Sequence, residues 1–375
     1  MTLGRTLSAQ DTGPAGALDG IAAIEADLPA AVTAELGRYL DGRRETCADL
    51  APEFVDAVDD LATMALGGGK RLRPTFAWWG WRGARGSSPS PEVVLRAVSA
   101  LELVQVCALV HDDLIDDSDL RRGLPTVHAR WTARHAERDW IGSSERLGAA
   151  VAILVGDLAL AWSDDMLRAA GLDAATLGRV AAVWDAMRTE MLTGQFLDVV
   201  GHATDQATPE GVLRISRYKT AAYTIERPLH LGAALAGADD DLVAAYRRFG
   251  TDLGIAFQLR DDLLGVFGDP AVTGKPAGDD LREGKRTLLV ALARRHPDQD
   301  AAAPVEHALG RDDLTPADLD AARTALQELG VVDEVEDRIT TLTTSALDAL
   351  TAADVEPAAR ECLVALAAKA TRRTF

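Results

Sequence analysis

Two short acidic runs hold the residues best suited to chemistry. In His111-Asp112-Asp113-Leu114-Ile115-Asp116, three carboxylates stand at i, i+1 and i+4. On a helix, Asp112 and Asp116 share a face one turn apart. The run Phe257-Gln258-Leu259-Arg260-Asp261-Asp262 places a second acidic pair far downstream. A lone acidic run is ordinarily a solvated helix end. Here each run closes an apolar stripe: Val94, Ala97, Val98, Leu101, Val104 and Ala108 precede the first, and Leu253, Ile255, Ala256 and Leu259 the second. Clustered carboxylates repel one another and are costly where water is scarce. A hard cation resolves this. Mg²⁺ takes one or two protein carboxylates and completes its octahedron with water and phosphate oxygens. Arg121 and Arg122 follow the first run, and guanidinium forks match phosphate geometry. Two such clusters facing each other would clamp metal ions against a diphosphate.

A third constellation is Gly67-Gly68-Gly69-Lys70-Arg71-Leu72-Arg73-Pro74. Glycines let a backbone approach a ligand closely. Cations at a helix start oppose the helix dipole, and a bound anion would resolve the conflict. The stretch is not a Walker loop, because Met64 and Arg71 stand where that motif needs Gly and Ser/Thr. Weaker signals are Lys219-Thr220, which reads as the junction of two helices, and Gln258, on the face of Asp261. Lys275 and Lys285 flank a further acidic pair, Asp279-Asp280. Gln195 and Asp198 read as hydrogen-bonded core polars, and His111 and His128 as structural.

The elements that position these residues are helical. Helix periods run over Ile21–Leu40, Pro52–Leu66, Arg71 or Pro74 to Trp81, Pro91–Asp117, a short helix to about Arg138 after a break at Gly123–Thr126, Glu145–Ala170, Ala174–Val200, Pro209–Lys219, Ala221–Ala236, Asp239–Phe267, Glu283–Arg295, Pro316–Leu329 and Val332–Ala370. No alternating strand pattern, internal repeat or linker interrupts them, which predicts one all-α domain over residues 20–375 behind a disordered tail at 1–19. The chain has 375 residues and a net charge of −19, from 58 acids and 39 bases. That balance argues against nucleic acid and anionic membrane surfaces. Cys47, Cys107 and Cys362 form neither a metal spacing nor a disulfide framework, which fits a reducing cytoplasm. There is no signal-peptide h-region, and the longest apolar run noted, Leu147–Trp162, is interrupted by Asp157, so no stable membrane insertion is expected.

In order, GGGKRLRP, HDDLIDDSDLRRG, KT, FQLRDDLLG and TGKPAGDDLREGK resemble the trans-isoprenyl diphosphate synthase (polyprenyl synthetase) family, over residues 67 to 288. The resemblance implies a helical bundle around a deep central cavity. In that cavity an allylic diphosphate ionises, isopentenyl diphosphate attacks the carbocation, and a proton is lost to the departing diphosphate. It implies Mg²⁺, three ions, held by Asp112 and Asp116 on one side and Asp261 on the other, with Asp113 and Asp262 in support. Arg121, Lys219, Gln258 and Lys275 would contact the allylic diphosphate, with Thr220 and Lys285 nearby. Lys70, Arg73, Gln105 and Arg122 would bind isopentenyl diphosphate. A homodimer is carried over by analogy.

Two departures from the family pattern stand out. Gln105 replaces a frequent histidine, and Gly265 replaces an aspartate common at the end of the second motif, which makes metal binding on that side less secure. Product length follows from geometry. Ala108 and Cys107, four and five residues before Asp112, are small where aromatic residues stop family products at fifteen carbons. The tail is expected to pass toward Val104 and Leu101, giving geranylgeranyl diphosphate, with twenty carbons, or a longer product. The rival readings are a class I terpene cyclase, which needs one diphosphate site rather than two, and a non-catalytic subunit of a heteromeric synthase. A metal phosphohydrolase would require histidine ligands the chain does not arrange.

Overall fold

The computed structural model describes residues 14–371 apart from 87, 206–207, 270–277 and 312. Its centre is α5 (Pro91–Ile115). This helix lacks a polar face along most of its length. Val94, Ala97, Val98, Leu101 and Val104 are all wholly buried, as expected of a helix with neighbours on every side. Around it stand α2 (Leu28–Leu50), α3 (Val55–Leu66), α4 (Leu72–Gly83), α6 (Val127–Glu137), α7 (Ser144–Arg168) and α8 (Ala174–Thr204). Together they share one apolar core that includes Trp78, Trp81 and Trp184. The most extensive pairing is α5 with α7.

The other half is built on α11 (Asp240–Phe267), which packs on the late helix Val331–Ala352 and on the stretch before it. That stretch is one continuous helical run. It begins as α9 (Pro209–Ile215), widens into a π-helical segment over Ser216–Glu226, and returns to α10 (Arg227–Ala236). The sequence reading placed a break at Lys219-Thr220. The chain instead passes through both residues without stopping, in the i→i+5 geometry that occurs mainly at functional sites. Glycines make the wider segment fit. A Cβ on Gly194 of α8 would stand 2.6 Å from the Tyr218 carbonyl carbon, and one on Gly254 of α11 would stand 2.5 Å from the Ala221 Cα.

Other boundaries moved for local reasons. The first predicted helix is two, because Asp27 caps α2 by accepting a bond from the Ala30 amide, ending α1 (Pro14–Ala26). That helix begins inside the segment expected as a tail; residues 1–13 lie outside the described residues. The last predicted helix is also two, Val331–Ala352 and Pro357–Thr371, divided before Pro357. Gln299–Ala308 is a helix the periodicity missed. The break after Asp117 contains a small hairpin, Leu120–Arg121 paired antiparallel with Leu124–Pro125. Its two-residue turn, Arg122-Gly123, has positive φ at both positions, 54° and 76°, as a type I′ turn requires.

The expectation that no run reaches membrane length is corrected by α5 and α7. Both are long and apolar enough by length and composition alone, and 72% of the α5 stretch is buried within the bundle. Asp157 does not break α7; it lies on an exposed part of it.

Candidate active site

The first acidic run ends α5, and the structure separates its members. Asp113 is almost fully buried and accepts from Arg121 Nε at 2.5 Å. Burial raises its pKa, and the Arg121 charge offsets only part of that. Asp112, on a different face, accepts from Gln195 Nε2 at 2.9 Å and from Lys219 Nζ at 3.2 Å. Lys219 also binds Asp198 at 2.6 Å. Burial opposes the Lys219 charge, but Asp112 and Asp198 outweigh it and raise the pKa. Asp116 has an exposed surface at the mouth of the cleft, yet desolvation, followed by the charge of Asp112, raises its pKa. Gln195 and Asp198, assigned by sequence to the core, therefore join this group. The available signal was their spacing with Met191 on one face of α8; residue type alone did not reveal it.

The second run lies in the last third of α11, with Asp262 five residues before its end. Thr220 Oγ1 donates to Gln258 at 2.7 Å, and Gln258 Nε2 donates to Asp262 at 2.8 Å. Asp262 is buried, and its pKa is pushed up to about 8, by desolvation first and then by the Asp280 charge. Asp261, beside it, is partly exposed. Asp280, on the short helix Asp279–Arg282, accepts from Lys285 Nζ at 2.8 Å. Lys285 also pairs with Glu283 at 2.8 Å. Burial opposes its charge, and the two carboxylates raise its pKa above the ordinary lysine value. Lys275 lies outside the described residues.

Gly265 is where these elements meet. A Cβ there would stand 2.9 Å from one carboxylate oxygen of Asp280 and nearer still to the rest of that carboxylate. The space beside Gly265 is thus already filled by a carboxylate from another helix. Gly265→Asp is accordingly expected to crowd the site and destabilise the fold by about 1–3 kcal/mol. Urea denaturation would read this; unchanged stability would show that Asp280 moves aside freely.

The third constellation assembles around the glycine loop. Gly68 and Gly69 have φ of 94° and 122°, which residues with a Cβ rarely adopt. Their turn lets the Gly68 carbonyl accept from Arg122 at 2.9 Å, so the hairpin docks on the loop. Arg73, in the first turn of α4, donates to Thr224 at 2.9 Å and lies 4.0 Å over the Tyr223 ring. The Tyr223 hydroxyl donates to Gln105 at 2.9 Å. Lys70 stands exposed between the loop and α4. Arg71 does not join them. It is buried, with a left-handed φ of 48°, and is paired with Glu102 at 2.7 Å.

An apolar cavity of about 370 Å³ opens beside Asp112, Gln195 and Lys219 and reaches Tyr223. Cys107, Ala108, His111, Ile153, Met191 and Leu192 are among its walls. Burial pushes the Cys107 thiol up to about 12, so it is a neutral wall. Val104 is fully buried in the core and does not line the cavity, nor does Leu101. The space turns instead toward α7 and α8.

An apolar pocket beside Asp112 and Lys219, with Arg121 held by Asp113 and with Arg73 and Arg122 near the glycine loop, offers cationic groups suited to phosphate. The comparisons give the family. A family model described as polyprenyl synthetase matches residues 55–326. The chain belongs to the polyprenyl synthetase family. It is 34% identical over 296 residues to the geranylgeranyl diphosphate synthase of Mycobacterium tuberculosis, covering 74% of this chain and 78% of that protein. It is 33% identical over 274 residues to the geranylfarnesyl diphosphate synthase of Aeropyrum pernix, covering 72% and 79%. A crystal structure of geranylgeranyl pyrophosphate synthase from Corynebacterium glutamicum, complexed with isoprenyl diphosphate and magnesium, superposes with a TM-score of 0.88 at 46% identity, covering 92% of this chain and 98% of that one. This polyprenyl synthetase is a prenyltransferase that elongates trans-prenyl chains from isopentenyl and allylic diphosphates.

Proposed function

We propose that this synthetase makes geranylgeranyl diphosphate, in the cytoplasm and as a homodimer, with three Mg²⁺ ions. The observation that carries the product length is the cavity wall beside Asp112, where Cys107 and Ala108 are both small. An aromatic ring at either position would project into the path of the tail. The small pair leaves space toward Ile153, Met191 and Leu192.

The residues fit Mg²⁺. Asp112, Asp116 and Asp261 offer oxygen ligands. Among the described residues, no three His, Cys, Asp or Glu side chains converge tightly enough to enclose a cation. Mg²⁺ takes few protein ligands and completes its shell with phosphate and water. The desolvation that raises Asp116 and Asp262 is relieved by added positive charge. Bound there, the metal would neutralise the leaving diphosphate. Lys219 would orient that diphosphate from the side of α8, and Arg121, fixed by Asp113, from the hairpin. Lys285, and Lys275 by resemblance, would complete the allylic site, with Thr220 and Gln258 holding Asp262 in place. Lys70, Arg73 and Arg122 would bind the second diphosphate, and Gln105 would anchor Tyr223 beneath Arg73. Charge placed in advance where charge develops lowers the ionisation barrier.

A homodimer is supported by exposed apolar side chains flanking the open side of the cavity: Ile153 and Leu154 on α7, Leu192 and Phe196 on α8. Patches of this kind mark association surfaces. A cytoplasmic setting is supported by three free cysteines. The test is elongation with labelled isopentenyl diphosphate and each allylic starter in turn. A twenty-carbon product, abolished by chelator, is the expected result. Ala108→Phe should shorten the main product to fifteen carbons. A wild-type product of another length, or an unshortened variant, overturns the proposed length.

A further inference from the structure

His111, directly before Asp112, is held in a seam rather than in the cavity it borders. Its Nε2 lies 3.3 Å from the Ile153 carbonyl oxygen, and its Nδ1 lies 3.8 Å from the Cys107 sulfur. The seat exists because residue 156 on α7 is glycine. A Cβ there would stand 2.8 Å from the His111 Cε1 and closer still to Cδ2 and Nε2. Gly156 is itself buried where α5 and α7 pack most extensively, so backbone movement cannot easily open the seam. The ring is 27% exposed and stands 3.8 Å from the Asp157 carboxylate, so a ring displaced from this seat moves either toward water or into the cavity it already borders. Side chains on a helix adopt staggered rotamers that lean back over the residues three and four before them. For His111 those residues are Ala108 and Cys107, the two small walls of the cavity.

We propose that Gly156 is a specificity-determining residue for product length: by seating His111 between α5 and α7, it keeps the imidazole out of the tail cavity. This rests on the elongation reading above and adds to it a control point on a different helix from Cys107 and Ala108. The wall beside these small residues stays open only while its neighbour is parked.

The test is product length in Gly156→Ala. The expected main product is shorter than that of the wild type by one five-carbon unit, and the double variant Gly156→Ala/His111→Ala regains the wild-type length. Should Gly156→Ala fail to fold, His111→Trp tests the same point from the other partner, since the larger ring outgrows its seat beside the cavity. Wild-type product length in a folded Gly156→Ala or in His111→Trp overturns the inference, as does a double variant that stays short. These outcomes leave the synthase reading intact. Only a wild-type protein that elongates no starter removes both.

Discussion

Asp112→Ala is expected to lower kcat about a thousandfold while shifting the thermal transition little. The carboxylate is half-buried and accepts from Gln195 and Lys219, neither of which depends on it for folding. Lys219 keeps Asp198 at 2.6 Å, so no cation is left buried and unpaired. What disappears is a carboxylate that lines the cavity, which in the proposed reaction holds metal against the leaving diphosphate. Asp113→Ala should behave in the opposite way. That carboxylate is buried and holds Arg121, so its loss frees the arginine and costs stability as well as rate. Turnover by Asp112→Ala within tenfold of wild type would remove Asp112 from the proposed metal site. The pair of variants, measured by steady-state kinetics and thermal melting, separates a ligand from its support.

The second large effect concerns Arg71 and Glu102, whose side chains are only 3% and 8% exposed. Removing one partner of a buried ion pair strands the other charge. Arg71→Met is therefore expected to cost about 3–5 kcal/mol in unfolding free energy. Replacing both, as Arg71→Met/Glu102→Leu, should recover most of it, because no charge is then left desolvated. Urea denaturation of the two variants checks this. A single variant as stable as wild type would mean that Glu102 reaches water or another partner. The pair also explains why the glycine loop, with three cations in four residues, offers only Lys70 and Arg73 to a ligand. Arg71 is used to pin the loop to α5.

Much of this was legible in the sequence because it follows from period and composition. The apolar stripes of α5, α7, α8 and α11 are long, and the glycines, prolines and acidic caps that end them have few alternative uses. The motifs gave the family for the same reason. The divisions within motifs were not legible. Asp112 and Asp113 are adjacent letters about 100° apart on a helix, and only the neighbours of α5 decide which is buried. Gln195 and Asp198 have the composition of core polars, and their role depends on Lys219 crossing from another helix. Gly265 read as a lost carboxylate, whereas the Asp280 carboxylate, from fifteen letters away, fills the space beside it. The route of the cavity past Val104 failed because a small residue above does not show which way a space turns below.

The π-helical segment Ser216–Glu226 carries a consequence for what this chain can tolerate. Within it, Lys219 reaches Asp112 on α5 and Asp198 on α8, while the next residue, Thr220, reaches Gln258 on α11. A single deletion inside the segment would let ordinary i→i+4 bonding return, and would turn one side of the cut relative to the other by about 100°. Every side chain beyond the cut would then face the wrong neighbour, although no functional residue had been altered. The segment works as a spacer measured in residue number. Its sequence can drift more safely than its length, and it keeps the two acidic runs in phase.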